Sequence, residues 1–396
     1  MIIPMKIIGI DARFMLRPLR GIPLYVLRLC QNLPVLNRDY QFVYFINKGF
    51  EHNDTPENYL QRILDIEKNN PNVTFVNYDD DAEIKWEQVI LPSLIKQYKV
   101  ELLHMPGNRI CFFSGVPTVV TVHDVMEYLY LRKRYKEGIR DERNIKMVFY
   151  KTKVAAYALS NYKIGFQRSS KIITVSKYSV DDISLKLKID KRKITSIYHG
   201  LDDDYVCGNI TPYSGRKFTL MLGGDSYQKN PELAIRAWAK VAPELRNKYP
   251  LRIFGFCGSK TSPLLEALKA NGLEHEVKVS GWISQAEMVR NFRDAALFLF
   301  PSRYEGFGFP LIQAMASGTP VLSTNKSSIP EVLGNVGFTY DVDDYMGMAT
   351  GISKLLSDEG CWLSQSDEGR KRSELFTWEK SAKAHLEVYK ELLCQE

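Results

Sequence analysis

At 396 residues, with 45% hydrophobic and 25% charged residues and a net charge of +7, the chain has the composition of an ordinary globular protein long enough for two domains. No apolar run approaches the ~18 residues of a membrane span. The opening MIIPMKIIGID, broken by Pro4, Lys6 and Asp11 and lacking a cleavage site, reads as a first strand and not as a signal peptide, so export is not expected.

Six cysteines, Cys30, Cys111, Cys207, Cys257, Cys361 and Cys394, form no C-x-x-C pair and no Cys/His cluster. They read as buried free thiols in a reducing, cytoplasmic compartment, and they speak against a zinc or haem centre. Charge is uneven. Residues 1–200 carry 31 Lys and Arg against 21 Asp and Glu, and the remainder 22 against 25.

Along the chain, short β-rich runs alternate with longer helical patterns: KIIGID, QFVYFI, ELLH, TVVTV, KIITV and ITSI, then FTLML, LRIFG, EVKVS, LFLF and PVLS. This alternation predicts α/β architecture with two doubly wound parallel sheets. The expected domains are 1–200 and 201–378, with a terminal helix over 379–396. The stretch 199–216, rich in Gly, Asp and Pro and without a periodic apolar face, is the expected hinge.

Ligands of such sheets bind beyond the carboxyl ends of the strands, so the loops entering helices carry the functional signal. After the first strand, Gly21 precedes Pro23 and an amphipathic pattern of Leu24, Leu27 and Leu29. In TVVTVHDVMEY, His123 and Asp124 follow directly on a buried strand; a satisfied core histidine is the alternative reading.

Between them and the second half, residues 132–153 hold nine basic and three acidic residues, flanked by Tyr128, Tyr130, Tyr135, Phe149 and Tyr150. Basic residues interleaved with aromatics suit an anionic membrane surface, and a solvated helix face is the bland counterpart. Nucleic acid is not expected, because no recognition motif accompanies the charge.

In LMLGGDSYQKNPELAIRAW, Gly223 and Gly224 end a strand, Asn230 is a candidate cap, Pro231 opens a helix and Lys229 stands beside its start. A cation there is locally unfavourable by ~0.3–1 kcal/mol, and a bound anion relieves that cost. Finally, PSRYEGFGFPLIQAMASGTPVLS places Glu305 and a glycine loop ahead of a helix opened by Pro310 and ended by Gly318. Helix amino termini favour anions, so a carboxylate beside one competes with phosphate unless it addresses a neutral part of the same ligand, such as hydroxyl groups. Two anion-binding termini in one half-chain suggest a nucleotide diphosphate. A self-capped turn is the structural alternative.

These stretches resemble the family-4 retaining glycosyltransferases. PSRYEGFGFPLIQAMASGTPVLS is similar to that family's PSxxEGFGxPxxEAMAxGxPV signature, and IGIDAR, TVHDV, ITVSKYS, HGLD, GGDSYQKN, VKVSGWIS and FTWEKSAKAHLEVYKELL extend the likeness nearly end to end. The resemblance implies the GT-B fold, two Rossmann-like domains facing each other across a cleft, with a last helix that crosses back to the first domain. It implies transfer of a sugar from a nucleotide-diphosphate sugar to a glycan or lipid-linked acceptor, with retained configuration, no required metal and no cofactor. Synthesis of a bacterial surface polysaccharide at the inner face of the plasma membrane is the implied setting.

Carried over by position, the resemblance assigns Glu305 to hydroxyls of the donor sugar and His123 to the reacting centre. Lys229 and the backbone of Gly306, Phe307, Gly308 and Phe309 hold the diphosphate. Gly21 and Gly224 allow close backbone approach, and Ile283 lies near the base. The family's second Glu, on the ribose, is here Gln313, which loses a charge-assisted acceptor. Gln228 replaces a frequent Arg, leaving Arg13, Arg20 or Arg303 as candidates to compensate. Pro23 stands where glycine is commoner. On Gln313 and Gln228 an inactive or regulatory relative stays open, as does a sugar phosphorylase or epimerase on the same fold.

Overall fold

The computed structural model describes residues 5–47, 59–79, 82–139, 145–206, 208, 210–224, 226–256, 258 and 262–394. The chain divides into two compact units, Met1–His199 with Trp378–Glu396, and Gly200–Thr377.

In the first unit, seven parallel strands pair in the order β3-β2-β1-β4-β5-β6-β7. They are β1 Lys6–Asp11, β2 Tyr40–Asn47, β3 Val73–Tyr78, β4 Leu102–Met105, β5 Thr118–Thr121, β6 Lys171–Thr174 and β7 Ile194–Ser196. The central β4 and β5 are buried along their whole length, as strands covered by helices on both faces must be. The helix Ile22–Leu36 starts at Gly21 with Pro23 in its first turn and buries Leu24, Leu27 and Leu29. The last helix, Trp378–Leu393, belongs to this unit and packs on Ile22–Leu36 and on β4.

The second unit holds six parallel strands in the order β10-β9-β8-β11-β12-β13. They are β8 Phe218–Leu222, β9 Leu251–Phe254, β10 Lys278–Val279, β11 Ala295–Phe300, β12 Val321–Thr324 and β13 Phe338–Tyr340. β11 is wholly apolar and buried, and Met221, Leu251, Ile253, Leu297, Leu299 and Trp238 join one core with the surrounding helices.

Both sheets have the doubly wound Rossmann-like arrangement expected from the alternating pattern. β3 and β13 were not anticipated. Each is an edge strand whose residues are only partly covered, so neither shows the compact apolar run of a central strand. Among the described residues no helix is long and apolar enough to cross a membrane. Of the cysteines, Cys30 and Cys111 are buried and free, but Cys361 is half-buried and Cys394 is exposed near the end of the last helix, which corrects the expectation of uniformly buried thiols. Cys207 and Cys257 lie outside the described residues.

Candidate active site

The carboxyl edge of the second sheet gathers most of the residues singled out above. β11 ends at Phe300, and the chain runs through Pro301 to Gly308 before the helix Phe309–Ala316 begins. Gly308 has φ +99°, and a Cβ there would sit 3.0 Å from Leu311 Cδ1, so only glycine fits the turn. Pro310 occupies the first turn, Leu311, Ile312 and Met315 are buried, and Gly318 at φ +66° follows the helix end.

The loop is held from below by a turn that sequence reasoning did not single out. Ser327 Oγ accepts from the Glu305 amide at 2.9 Å, and Ser328 Oγ, with one proton to share, lies 2.9 Å from the carbonyl of Glu305 and 3.1 Å from that of Phe307. Thr324 Oγ1 donates to the Ser302 carbonyl. The TNKSS run that begins on the last residue of β12 was the available signal.

Lys229 reaches this loop. Its Nζ lies 2.7 Å from Glu305 Oε1 and 5.2 Å from the centre of the Phe300 ring. Glu305 is 9% exposed, so the pair is partly withdrawn from water. Gln228 fixes the same two segments together: its Nε2 donates to the Tyr304 carbonyl at 2.7 Å, and its carbonyl accepts from the Arg303 amide at 2.7 Å. Gln228 therefore secures the loop through its amide.

Asn230 stands at the start of the helix Pro231–Trp238 with φ +48°, but its side chain donates to the Val342 carbonyl and caps nothing, contrary to expectation. Gly224 is packed closely, since a Cβ there would meet Leu264 Cδ2 at 3.0 Å. Ile283 is half-buried just before the helix Gln285–Asp294, and Gln313 is half-buried on the helix that Gly308 opens.

Gly21 and His123 belong to the first unit. Gly21 takes φ +55° with open space where a side chain would be, and its carbonyl accepts from the Tyr25 amide at 3.0 Å. Tyr25 packs edge-on against the His123 ring with centroids 5.0 Å apart, so Gly21 stands one helical turn from a residue that touches His123. The turn Pro106–Asn108 holds His123 itself. Asn108 Oδ1 accepts from the His123 amide at 2.8 Å, and His123 Nε2 lies 2.9 Å from the Pro106 carbonyl. A carbonyl can only accept, so Nε2 carries the proton and Nδ1 of the neutral ring is an acceptor. Burial pushes this imidazole down to about 4, opposed by the Pro106 bond.

His123 stacks on His199 at 5.5 Å, beside a buried chain whose hydrogen-bond directions are all determined. His385 Nδ1 donates to the Ser381 carbonyl at 2.7 Å, so its Nε2 accepts from Tyr25 Oη at 2.8 Å. Tyr25 in turn accepts from Thr121 Oγ1 at 2.8 Å, Thr121 from His104 Nε2 at 2.8 Å, and His104 Nδ1 from Tyr389 Oη at 2.7 Å.

Of the compensating arginines, Arg13 is wholly buried, paired with Asp11 at 3.1 Å and with Glu87, which removes it as a phosphate ligand. Arg303 lies over the Tyr227 ring and 3.6 Å from Asp343. Arg20 is exposed in the first unit.

The basic segment spans the helices Met126–Ile139 and Ile145–Ser160; residues 140–144, with Arg140 and Arg143, lie outside the described residues, as do the side chains of Arg132 and Arg134. On the second helix Ile145 is 84%, Phe149 72% and Tyr150 62% exposed, with Lys146 and Lys153 also exposed.

Two family models match the chain: Glycosyltransferase Family 4 over residues 19–205 and Glycosyl transferases group 1 over residues 209–372. The O-antigen chain mannosyltransferase B of Escherichia coli is 24% identical over 305 residues, which cover 75% of this chain and 76% of that protein. Among solved structures, a glycosyltransferase from Rickettsia africae superposes with a TM-score of 0.68 at 15% identity, over 99% of both chains. Anabaena HepE in complex with UDP and glucose superposes with a TM-score of 0.67 at 16% identity, over 98% of this chain and 100% of that one.

Proposed function

Since the chain belongs to the family-4 glycosyltransferases of the GT-B fold, we propose that it transfers a sugar from a nucleotide-diphosphate sugar to a glycan or lipid-linked acceptor, with retention of configuration, in bacterial surface polysaccharide synthesis. The observation that carries this reading is the Lys229–Glu305 pair beside the glycine-opened start of the helix Phe309–Ala316. A diphosphate brings two or more negative charges to an ammonium that a single carboxylate now holds. It takes Lys229 over, and the helix terminus adds backbone N–H groups. Glu305, released from its partner, then accepts from hydroxyls of the sugar.

In the reaction the acceptor oxygen bonds to the anomeric carbon as the bond from that carbon to the diphosphate breaks. The acceptor's hydroxyl proton passes to the departing phosphate oxygen on the same face. Positive charge developing on the sugar strengthens its bonds to Glu305, which stabilises the transition state more than the ground state. His123, neutral and presenting Nδ1 as an acceptor, receives a sugar hydroxyl and does not act as an acid. Lys229 and the helix terminus compensate the leaving group's charge, so the reaction needs no metal and persists in a chelator.

The mannosyltransferase name of the E. coli relative supports a hexose donor and an O-antigen-type acceptor, and the UDP and glucose held by the Anabaena neighbour support a nucleotide sugar. Exposed Ile145, Phe149 and Tyr150 beside lysines support docking of the helix Ile145–Ser160 on an anionic leaflet. The test is release of nucleoside diphosphate from a panel of UDP- and GDP-sugars. Release from one donor, slowed in Glu305→Gln, supports the reading; an enzyme inert toward the whole panel, or one that needs free phosphate, contradicts it.

A further inference from the structure

Asp11, Arg13 and Glu87 are wholly buried, and the chemistry proposed above uses none of them. Apolar side chains of similar size often stabilise an interior as well as buried ions do, so three ions kept there call for a reason of position. Arg13 pairs with Asp11 at 3.1 Å on one side and with Glu87 on the other, and Glu87 also accepts from Tyr157 Oη. Trp86 Nε1 donates to Asp11 Oδ1 at 3.3 Å. Trp86 and Glu87 stand on the π-helical turn Trp86–Ile90, a helix irregularity frequent at functional sites. The end of β1, that turn and the helix Ile145–Ser160 are thereby locked onto the short turn Arg13–Leu16.

The next residue shows what this lock places. The Arg13 guanidinium lies over the Phe14 ring, 5.1 Å from its centre. The edge of that ring presses on Gly107, where a Cβ would sit 2.3 Å from Phe14 Cε2, 2.7 Å from Cζ and 2.9 Å from Cδ2. Gly107 lies outside the left-handed region, so glycine is required there for room and not for its backbone angles. Its two neighbours hold His123: Pro106 through its carbonyl and Asn108 through Oδ1. Phe14 therefore touches the one residue that links both supports of the imidazole.

We propose that Phe14, seated by the buried Arg13–Glu87 pair, is a positioning residue for His123. Its ring sets the Pro106–Asn108 turn, and the turn sets the tautomer and direction of the imidazole. The proposal rests on the role given to His123 above. Because both supports belong to one turn, a shift of Gly107 moves the ring and weakens the bond from Nε2 in the same step. Nδ1 then no longer faces the sugar hydroxyl as an acceptor, while the diphosphate site in the other unit is untouched.

The experiment measures kcat, KM and affinity for UDP and GDP in wild type, Phe14→Ala, His123→Ala and the double variant, using the UDP- or GDP-sugar that turns over, and records imidazole nitrogen signals by NMR. Positioning predicts that Phe14→Ala lowers kcat/KM between about tenfold and about 100-fold, the scale of a misplacement near 1 Å. Nucleoside diphosphate affinity should stay within about twofold, well under 1.4 kcal/mol. In the His123→Ala background Phe14→Ala should cost nothing further. His123 should show the Nε2–H tautomer in wild type and a mixture in Phe14→Ala. Gly107→Ala should slow turnover as Phe14→Ala does, because its methyl displaces the ring, and Phe14→Leu placed in the Gly107→Ala background should restore the rate by making room. Unchanged turnover in Phe14→Ala, or the same loss with and without the His123 imidazole, overturns the proposal and leaves the glycosyltransferase reading standing. Should Phe14→Ala not fold, absence of restoration by Phe14→Leu in the Gly107→Ala background overturns it. If His123→Ala costs nothing, the role of His123 falls and the proposal with it; if no UDP- or GDP-sugar turns over, the underlying reading falls as well.

Discussion

Lys229 Nζ and Glu305 Oε1 lie 2.7 Å apart, so the cation assigned to the diphosphate and the carboxylate assigned to the sugar neutralise each other. In the proposed function, donor binding opens this pair. Glu305→Gln removes the competitor for Lys229 and is expected to tighten binding of the free nucleoside diphosphate severalfold, on the order of 1 kcal/mol. The same substitution is expected to lower kcat more than it raises KM, because the sugar loses a contact that strengthens in the transition state. Calorimetry and initial rates check the two halves separately. Weaker diphosphate binding in Glu305→Gln would show that the carboxylate supports the anion site instead of competing for it.

Gln313 lies on the helix that Gly308 opens, four residues beyond Phe309. If it addresses the ribose, Gln313→Glu replaces a neutral acceptor with a charged one and is expected to tighten nucleotide binding by ~1 kcal/mol, with kcat little changed. The diphosphate's own charge opposes the gain. Loss of nucleotide binding in Gln313→Glu would remove Gln313 from the ribose.

The histidine cluster makes the first unit acid-sensitive. Burial, the first cause for all four rings, lowers His123 and His385 to about 4 and His104 and His199 well below their ordinary value. The native state therefore binds fewer protons than the unfolded chain below pH ~6.5. Stability is complete above that pH and falls as pH drops toward 4, by roughly 1.4 kcal/mol per histidine per pH unit. The directed chain through Thr121 and Tyr25 has no place for an added proton, so protonation also breaks its bonds. Melting temperatures between pH 7 and 5 should fall steeply, and less so in His385→Gln. A flat profile over that range would contradict the neutral assignment of the cluster.

The proposed docking of the helix Ile145–Ser160 on a bilayer would combine apolar insertion with charge. Each basic residue near an anionic surface contributes ~1 kcal/mol. Lys146→Glu with Lys153→Glu, and separately Phe149→Ser with Tyr150→Ser, are each expected to abolish sedimentation with anionic liposomes, and added salt should mimic the first pair. Sedimentation unaffected by either pair would leave this helix a solvated face.

The architecture was legible because central strands are apolar throughout and glycine, proline and small polar residues mark the loops after them. Gly308 shows why the site loop could be found: its φ of +99° leaves a trace in the sequence as an obligatory glycine before a helix. The Lys229–Glu305 pair was not legible, since the residues are 76 apart and each has a separate rationale. Arg13 read as a free cation because its partner Glu87 arrives from a different element 74 residues on. His123 was singled out from its strand-end position, but its tautomer depends on the carbonyl of Pro106, a backbone atom that every residue carries. Edge strands β3 and β13 escaped because half-covered strands need no continuous apolar run.

The measurement that bears most directly on the account is titration of the preferred nucleoside diphosphate into wild type and Lys229→Met, with urea unfolding of both. Lys229→Met leaves Glu305 partly buried without its counter-charge, so a stability loss of ~1–3 kcal/mol is expected, with an intact cooperative transition. Nucleoside diphosphate affinity should fall at least tenfold, and Glu305→Gln placed in the Lys229→Met background should restore the stability without restoring the affinity. Equal affinity in wild type and Lys229→Met would contradict the account, because the Lys229–Glu305 pair would then be a structural ion pair with no part in holding the donor.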